Sequence, residues 1–135
     1  MTLFRIKTLF GHGTFLASVA ASHLRGQEIG AAPEAEIIAV KLRRAKTYYA
    51  YKYPIPEDVE NVYTATDAML GIEYIIEKAR ILNMPVAICI GIGTTQGGHD
   101  GYFPPEQYIS AVASIRGVCV CTAARQSRKF KASYE

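Results

Sequence analysis

A chain of 135 residues, half of them apolar and a fifth charged, is sized and composed for one globular domain. Its net charge of +3 sits in the last eleven positions, where Arg125, Arg128, Lys129 and Lys131 crowd together; the body is about neutral and offers no footprint for nucleic acid. No apolar run reaches the ~18 residues of a membrane span, and Met1 to Lys7 lacks a signal-peptide core, so no membrane contact and a cytoplasmic location are expected.

Helical spacing begins near His12 and persists to about His23, with Gly26 as its stop. The run is nearly all Ala, Ser, Val and Leu, a composition that lets a helix sit deep inside a protein. Ala32, Pro33 and Glu34 then form a turn ahead of residues 36–42, an apolar run of strand length. Residues 46–56, rich in Tyr, Lys and Pro, read as an excursion loop. The strongest helix follows. Ala65, Ala68, Met69, Ile72, Ile75, Ile76, Ala79 and Leu82 keep one apolar face, and Thr64 with Asp67 offers a capping box.

Pro85 introduces a second buried-type strand, Val86–Ile90, and a glycine-rich loop over residues 91–101 leads into a helix beginning at Pro104 or Pro105 and ending by Arg116. Gly117 opens a third strand, Val118–Thr122. Continuous apolar strands alternating with amphipathic helices predict an α/β fold, a three-layer parallel sheet with helices on both faces. Ligands in such folds sit beyond the carboxyl ends of the strands. Cys89, Cys119 and Cys121 lie inside the apolar runs without metal-ligand spacing, so buried, reduced thiols and no metal or cofactor are expected.

Three groups of residues could carry chemistry. His12 stands between Gly11 and Gly13 at a helix start, where the glycines let backbone and substrate approach an imidazole. Gly91, Gly93, Gly97 and Gly98 follow a strand as a phosphate loop would, but their spacing fails the dinucleotide fingerprint. His99 and Asp100 form a ligand-type pair without a third partner, which favours a solvated turn.

The longer segment changes the weighing of His12. Gly11-His12-Gly13-Thr14-Phe15, followed by the small residues Leu16 to Ser22, resembles the histidine segment of the subtilisin-like serine peptidases (subtilases) at every position. A second stretch, from Gly30-Ala31-Ala32-Pro33 to Val40-Lys41, is similar to the turn and core strand that follow that helix in the family. A third, from Pro85 to Gly93, resembles the strand with which subtilases bind an extended peptide. Residues 67–76 and 90–101 are similar to subtilases of spore-forming anaerobes, a group that includes germination proteases and members that act as pseudoproteases.

The resemblance runs over residues 11–124 of a single partial domain, 1–135, and implies serine-type endopeptidase chemistry without a cofactor. His12 would be the general base, and Gly91, Ile92 and Gly93 would lie along the substrate backbone. The partner implied is a peptide or protein substrate, with other subtilase subunits as a further option, and the subgroup adds a spore association. The pattern then breaks. Within these residues there is no Asp segment ahead of His12 and no Gly-Thr-Ser segment behind it. Gln126 stands where the family has its oxyanion Asn, without the neighbouring glycine.

Residues 125–135 are aberrant for the family. One legal set of codons for residues 125–134, read one base out of phase, spells Gly-Asn-Gln-Gly-Asn-Ser-Arg-His-His, the expected continuation, which points to a frameshift near codon 125. The expectation for this chain alone is therefore an inactive peptidase fragment, with a pseudoprotease-type peptide or protein interaction module as the alternative.

Overall fold

The computed structural model describes residues 11–23, 30–52, 62–93, 98 and 100–123. They belong to two compact units, Met1–Ala39 and Val40–Glu135. The expected stop at Gly26 lies outside the described residues, as does the whole tail from residue 124.

The first unit is built on helix α1, His12–Ala21. Gly11 caps it in the left-handed region (φ 67°), a conformation that costs glycine nothing, and its carbonyl accepts the first helical bond from the Phe15 amide at 2.8 Å. At the other end the chain turns extended at Ser22. The carbonyls of Val19, Ala20 and Ser22 accept from the amides of Ala31, Ala32 and Gly30 at 3.0, 2.8 and 2.9 Å. The returning segment thus supplies the donors that a helix end lacks. A turn closes from the Ala35 amide to the Ala32 carbonyl at 3.0 Å, where the sequence predicts one. The deep setting expected for α1 is not observed: none of its residues is buried, and Phe15 and Val19 are exposed.

Residues at the end of the first unit and the start of the second differ from expectation. Residues 36–42 form no strand, although their pattern predicts one. A strand exists only with a hydrogen-bonded neighbour, and none is present there among the described residues; instead Val40 and Leu42 bring their side chains to Gly71. Part of the expected excursion loop is a short helix, α2, Thr47–Lys52, and residues 53–56 of that loop lie outside the described set.

Helix α3, Ala65–Leu82, follows the predicted face closely, with Gly71, Ile72, Ile76 and Ala79 buried. The Thr64 hydroxyl oxygen accepts from the Asp67 amide at 3.1 Å and donates its own proton to the Asp67 carboxylate at 2.7 Å. The helix stops at Asn83, in the left-handed region at φ 52°. The Asn83 amide donates to the Arg80 carbonyl and that of Met84 to the Ala79 carbonyl, at 3.1 and 3.0 Å, the double closure of a Schellman motif.

Strands β1, Val86–Ile90, and β2, Val118–Thr122, pair in parallel, Val86 against Val118 through Ile90 against Thr122. Helix α4, Pro104–Ala113, makes the crossover that parallel strands require. The core joins Ile72 and Ile76 of α3, Ile88 of β1 and Val112 of α4, flanked by Val86, Ile90, Val118 and Val120. Both helices therefore pack on one face of the sheet.

The other face carries Ala87, Cys89, Cys119 and Cys121, all exposed. This corrects the expectation of buried thiols. Side chains alternate across a strand, so only a second covering layer would bury them. The described sheet is a two-strand parallel pair with helices, an α/β arrangement with two of the three predicted strands.

Candidate functional site

His12 occupies the first turn of α1, directly after the left-handed Gly11, and is solvent-exposed. Gly13 follows it, so neither neighbour places a side chain against the imidazole. The helix has no acidic residue in its first turn.

Gly91, Ile92 and Gly93 leave the sheet at the carboxyl end of β1. Gly91 is half-buried, while Ile92 and Gly93 are exposed. Beside them the Ala123 amide donates to the Ile90 carbonyl at 3.3 Å, extending the ladder past Thr122. The segment thus lies at the edge of the sheet where α/β folds place their ligands. His12 and these three residues belong to separate compact units, and each is placed within its own. Gln126, expected at the oxyanion position, lies outside the described residues.

At the start of α4 the Glu106 carboxylate accepts from the amides of Gly101 and Phe103 at 2.9 and 3.3 Å. The donors at this helix start are thus committed to a carboxylate of this chain, whose negative charge would repel an anion there. Gly97 of the expected phosphate loop lies outside the described residues. Asp100 accepts from the Tyr102 amide at 3.1 Å, an Asx turn, and His99 lies outside the described residues. Among the described residues no cluster of His, Cys, Asp or Glu could hold a metal ion. Glu106 and Asn83 were the organising polar residues not anticipated from the sequence. Glu106 three residues after Phe103 was a readable signal, because an acid at that helix position reaches back to free amides.

A groove between α3 and α4 is lined by Glu73, Ile76, Glu77, Arg80, Tyr108 and Val112. Tyr108 donates its hydroxyl proton to the Met69 carbonyl at 3.3 Å, and partial burial, with the Glu73 charge second, raises its pKa above the usual tyrosine value. Among the described residues no helix is long and apolar enough to cross a membrane.

No protein family matches the chain, and no curated protein matches it. Among solved structures, the CspB protease of Clostridium perfringens is similar, with a TM-score of 0.70 and 24% identity over 86% of this chain. The match spans 23% of that protease's length, and at this identity the likeness is one of fold.

Proposed function

We propose that the chain is part of a subtilisin-like serine peptidase domain and contributes its histidine segment and its substrate-binding strand. The observation that carries this reading is the fold shared with a section of the CspB protease. The Gly11 to Phe15 motif supports it by placing His12 at the exposed start of α1. In the complete domain His12 takes the proton of a serine hydroxyl, and Gly91, Ile92 and Gly93 hold the peptide by strand addition. The same reading extends the sheet by further strands. It also supplies a second helical layer over the Ala87 and Cys89 face, giving the three-layer architecture.

The 135 residues by themselves contain no Gly-Thr-Ser segment and no Asp segment ahead of His12, so the chain alone is proposed to be inactive. The second reading, supported by the resemblance of residues 67–76 and 90–101 to a subgroup with such members, is a pseudoprotease-type module that binds peptide or protein without cleaving it. Residues 125–135 are proposed to be out of frame. Coding DNA that cannot yield Gly-Asn-Gln-Gly one base out of phase contradicts that part of the account.

Substrate binding is tested by titrating an uncharged extended hexapeptide and following backbone amide resonances. The expected shifts concentrate at Gly91, Ile92 and Gly93. Saturation without any shift there contradicts the assignment of these residues.

A further inference from the structure

We propose that Cys89 and Cys121 are a thiol-oxidation site at which a small disulfide, such as oxidised glutathione, drives a covalent link between β1 and β2. The pairing register sets these two residues directly opposite one another on adjacent parallel strands. Neighbouring strands lie about 4.8 Å apart, within the Cα separation of roughly 4.4–6.8 Å that a disulfide spans. Both side chains point to the face opposite the α3 and α4 core, and both are exposed, so reagent access is open.

The third thiol, Cys119, lies on the same face but is opposite Ala87. Along a strand, Cys119 and Cys121 are separated by two residues, about 6.6 Å, with side chains side by side. That distance sits at the far end of the disulfide range, so backbone separation favours the cross-strand pair, with the interacting Cys119 and Cys121 thiols as its competitor.

The neighbouring thiols also act on Cys121. The hydrogen bond between Cys121 and Cys119 is the largest cause raising the Cys121 pKa, followed by the charge of Cys119, desolvation and Cys89. Taken from the Cys89 side, the exchange starts with the thiolate, which is the nucleophile. The Cys89 thiolate attacks one sulfur of the small disulfide, whose S–S bond breaks and releases one thiolate. Cys121 then gives up its proton to solvent, and its thiolate attacks the Cys89 sulfur, expelling the second small thiolate. Two protein thiols are oxidised, one disulfide is reduced to two thiols, and the released thiolates take up the protons lost by the protein.

The link has a consequence for the adjoining segment. Cys89 precedes Gly91 by two residues, so joining it to Cys121 fixes the strand end from which Gly91, Ile92 and Gly93 emerge. A second helical layer on this face would compete with oxidation, because it would cover the same thiols. The disulfide would then mark the uncovered state of the sheet.

The test is to treat the full chain with oxidised glutathione, alkylate the remaining thiols, digest with trypsin without reduction, and sequence the linked peptides. Two of the three thiols are expected to be lost, with Cys89 joined to Cys121 and Cys119 alkylated. Cys119→Ser should form the same link, and Cys89→Ser should form no cross-strand link. A parallel reaction in guanidinium should scatter the linkages. Native-state linkage of Cys119 to Cys121, glutathione adducts without a cross-link, or the same distribution in guanidinium would overturn the proposal.

Discussion

The Gly30 amide donates to the Ser22 carbonyl at 2.9 Å, joining the end of the histidine helix to the start of the segment that follows it. Gly30 is buried, and a methyl group there would meet the Ser22 nitrogen and lie 2.7 Å from the Ala21 nitrogen. Backbone atoms cannot swing aside as side chains do. Gly30→Ala is therefore expected to destabilise this unit by about 1–3 kcal/mol, the range for overpacking. Amide exchange at Ala31 and Ala32 is the direct readout, and unchanged protection there contradicts the packing described.

Thr64 starts α3 by accepting from the Asp67 amide. Thr64→Ala should cost about 1 kcal/mol, and Thr64→Ser should recover most of it, since the capping oxygen returns. Urea denaturation monitored by helix signal measures both. Equal losses in the two variants would assign the effect to the methyl group instead.

Much of this architecture was legible in the sequence where a local pattern sufficed. The eight apolar positions from Ala65 to Leu82 recur at helical spacing, and the Thr64 cap lies just ahead of them. What failed to be legible depended on partners. Residues 36–42 have a strand's composition, but pairing is a property of two segments, and here Val40 and Leu42 rest near Gly71 instead. The thiols of Cys89, Cys119 and Cys121 lie in apolar runs, which signal burial on two faces, whereas α3 and α4 cover one. Thr47–Lys52 is too short to show a period, and its Tyr-rich composition gives little helical signal. For the site, the position of His12 on a helix start was readable from Gly11 and Gly13. For Glu106, its place three residues after Phe103 was readable, and only its reach to the Gly101 amide needed the fold of the loop around it.

Alkaline pH should weaken the second unit through Tyr108. Burial, aided by the Glu73 charge, raises its pKa above 10.0, so between the unfolded and folded values the native state holds more protons. Stability from this group is complete below about pH 10 and falls as pH rises through the folded value. Ionisation also removes the proton donated to Met69. Tyr108→Phe should flatten the alkaline limb of a stability profile, and an unchanged limb contradicts the assignment.

The chain alone should associate or stay loosely packed. Among the described residues the buried apolar core is Ile72, Ile76, Ala79, Ile88 and Val112, while Phe15, Val19, Tyr102 and Ile81 are exposed. Open strand edges and bare apolar surface both promote association. Light scattering with an amide-resonance spectrum checks this: a monodisperse monomer with dispersed signals and a sharp melt would mark an independent module.

Under the proposed function, His12 is the general base of a peptidase domain and works with a serine that these 135 residues do not offer in a Gly-Thr-Ser segment. The direct measurement is labelling by a fluorophosphonate probe, which reports an activated serine. The chain alone should not be labelled. Supplied with a polypeptide bearing the Asp strand and the Gly-Thr-Ser segment, it should support labelling of that added serine, and His12→Ala should abolish it. Labelling of the chain alone, or labelling of the complemented pair that survives His12→Ala, would contradict the account.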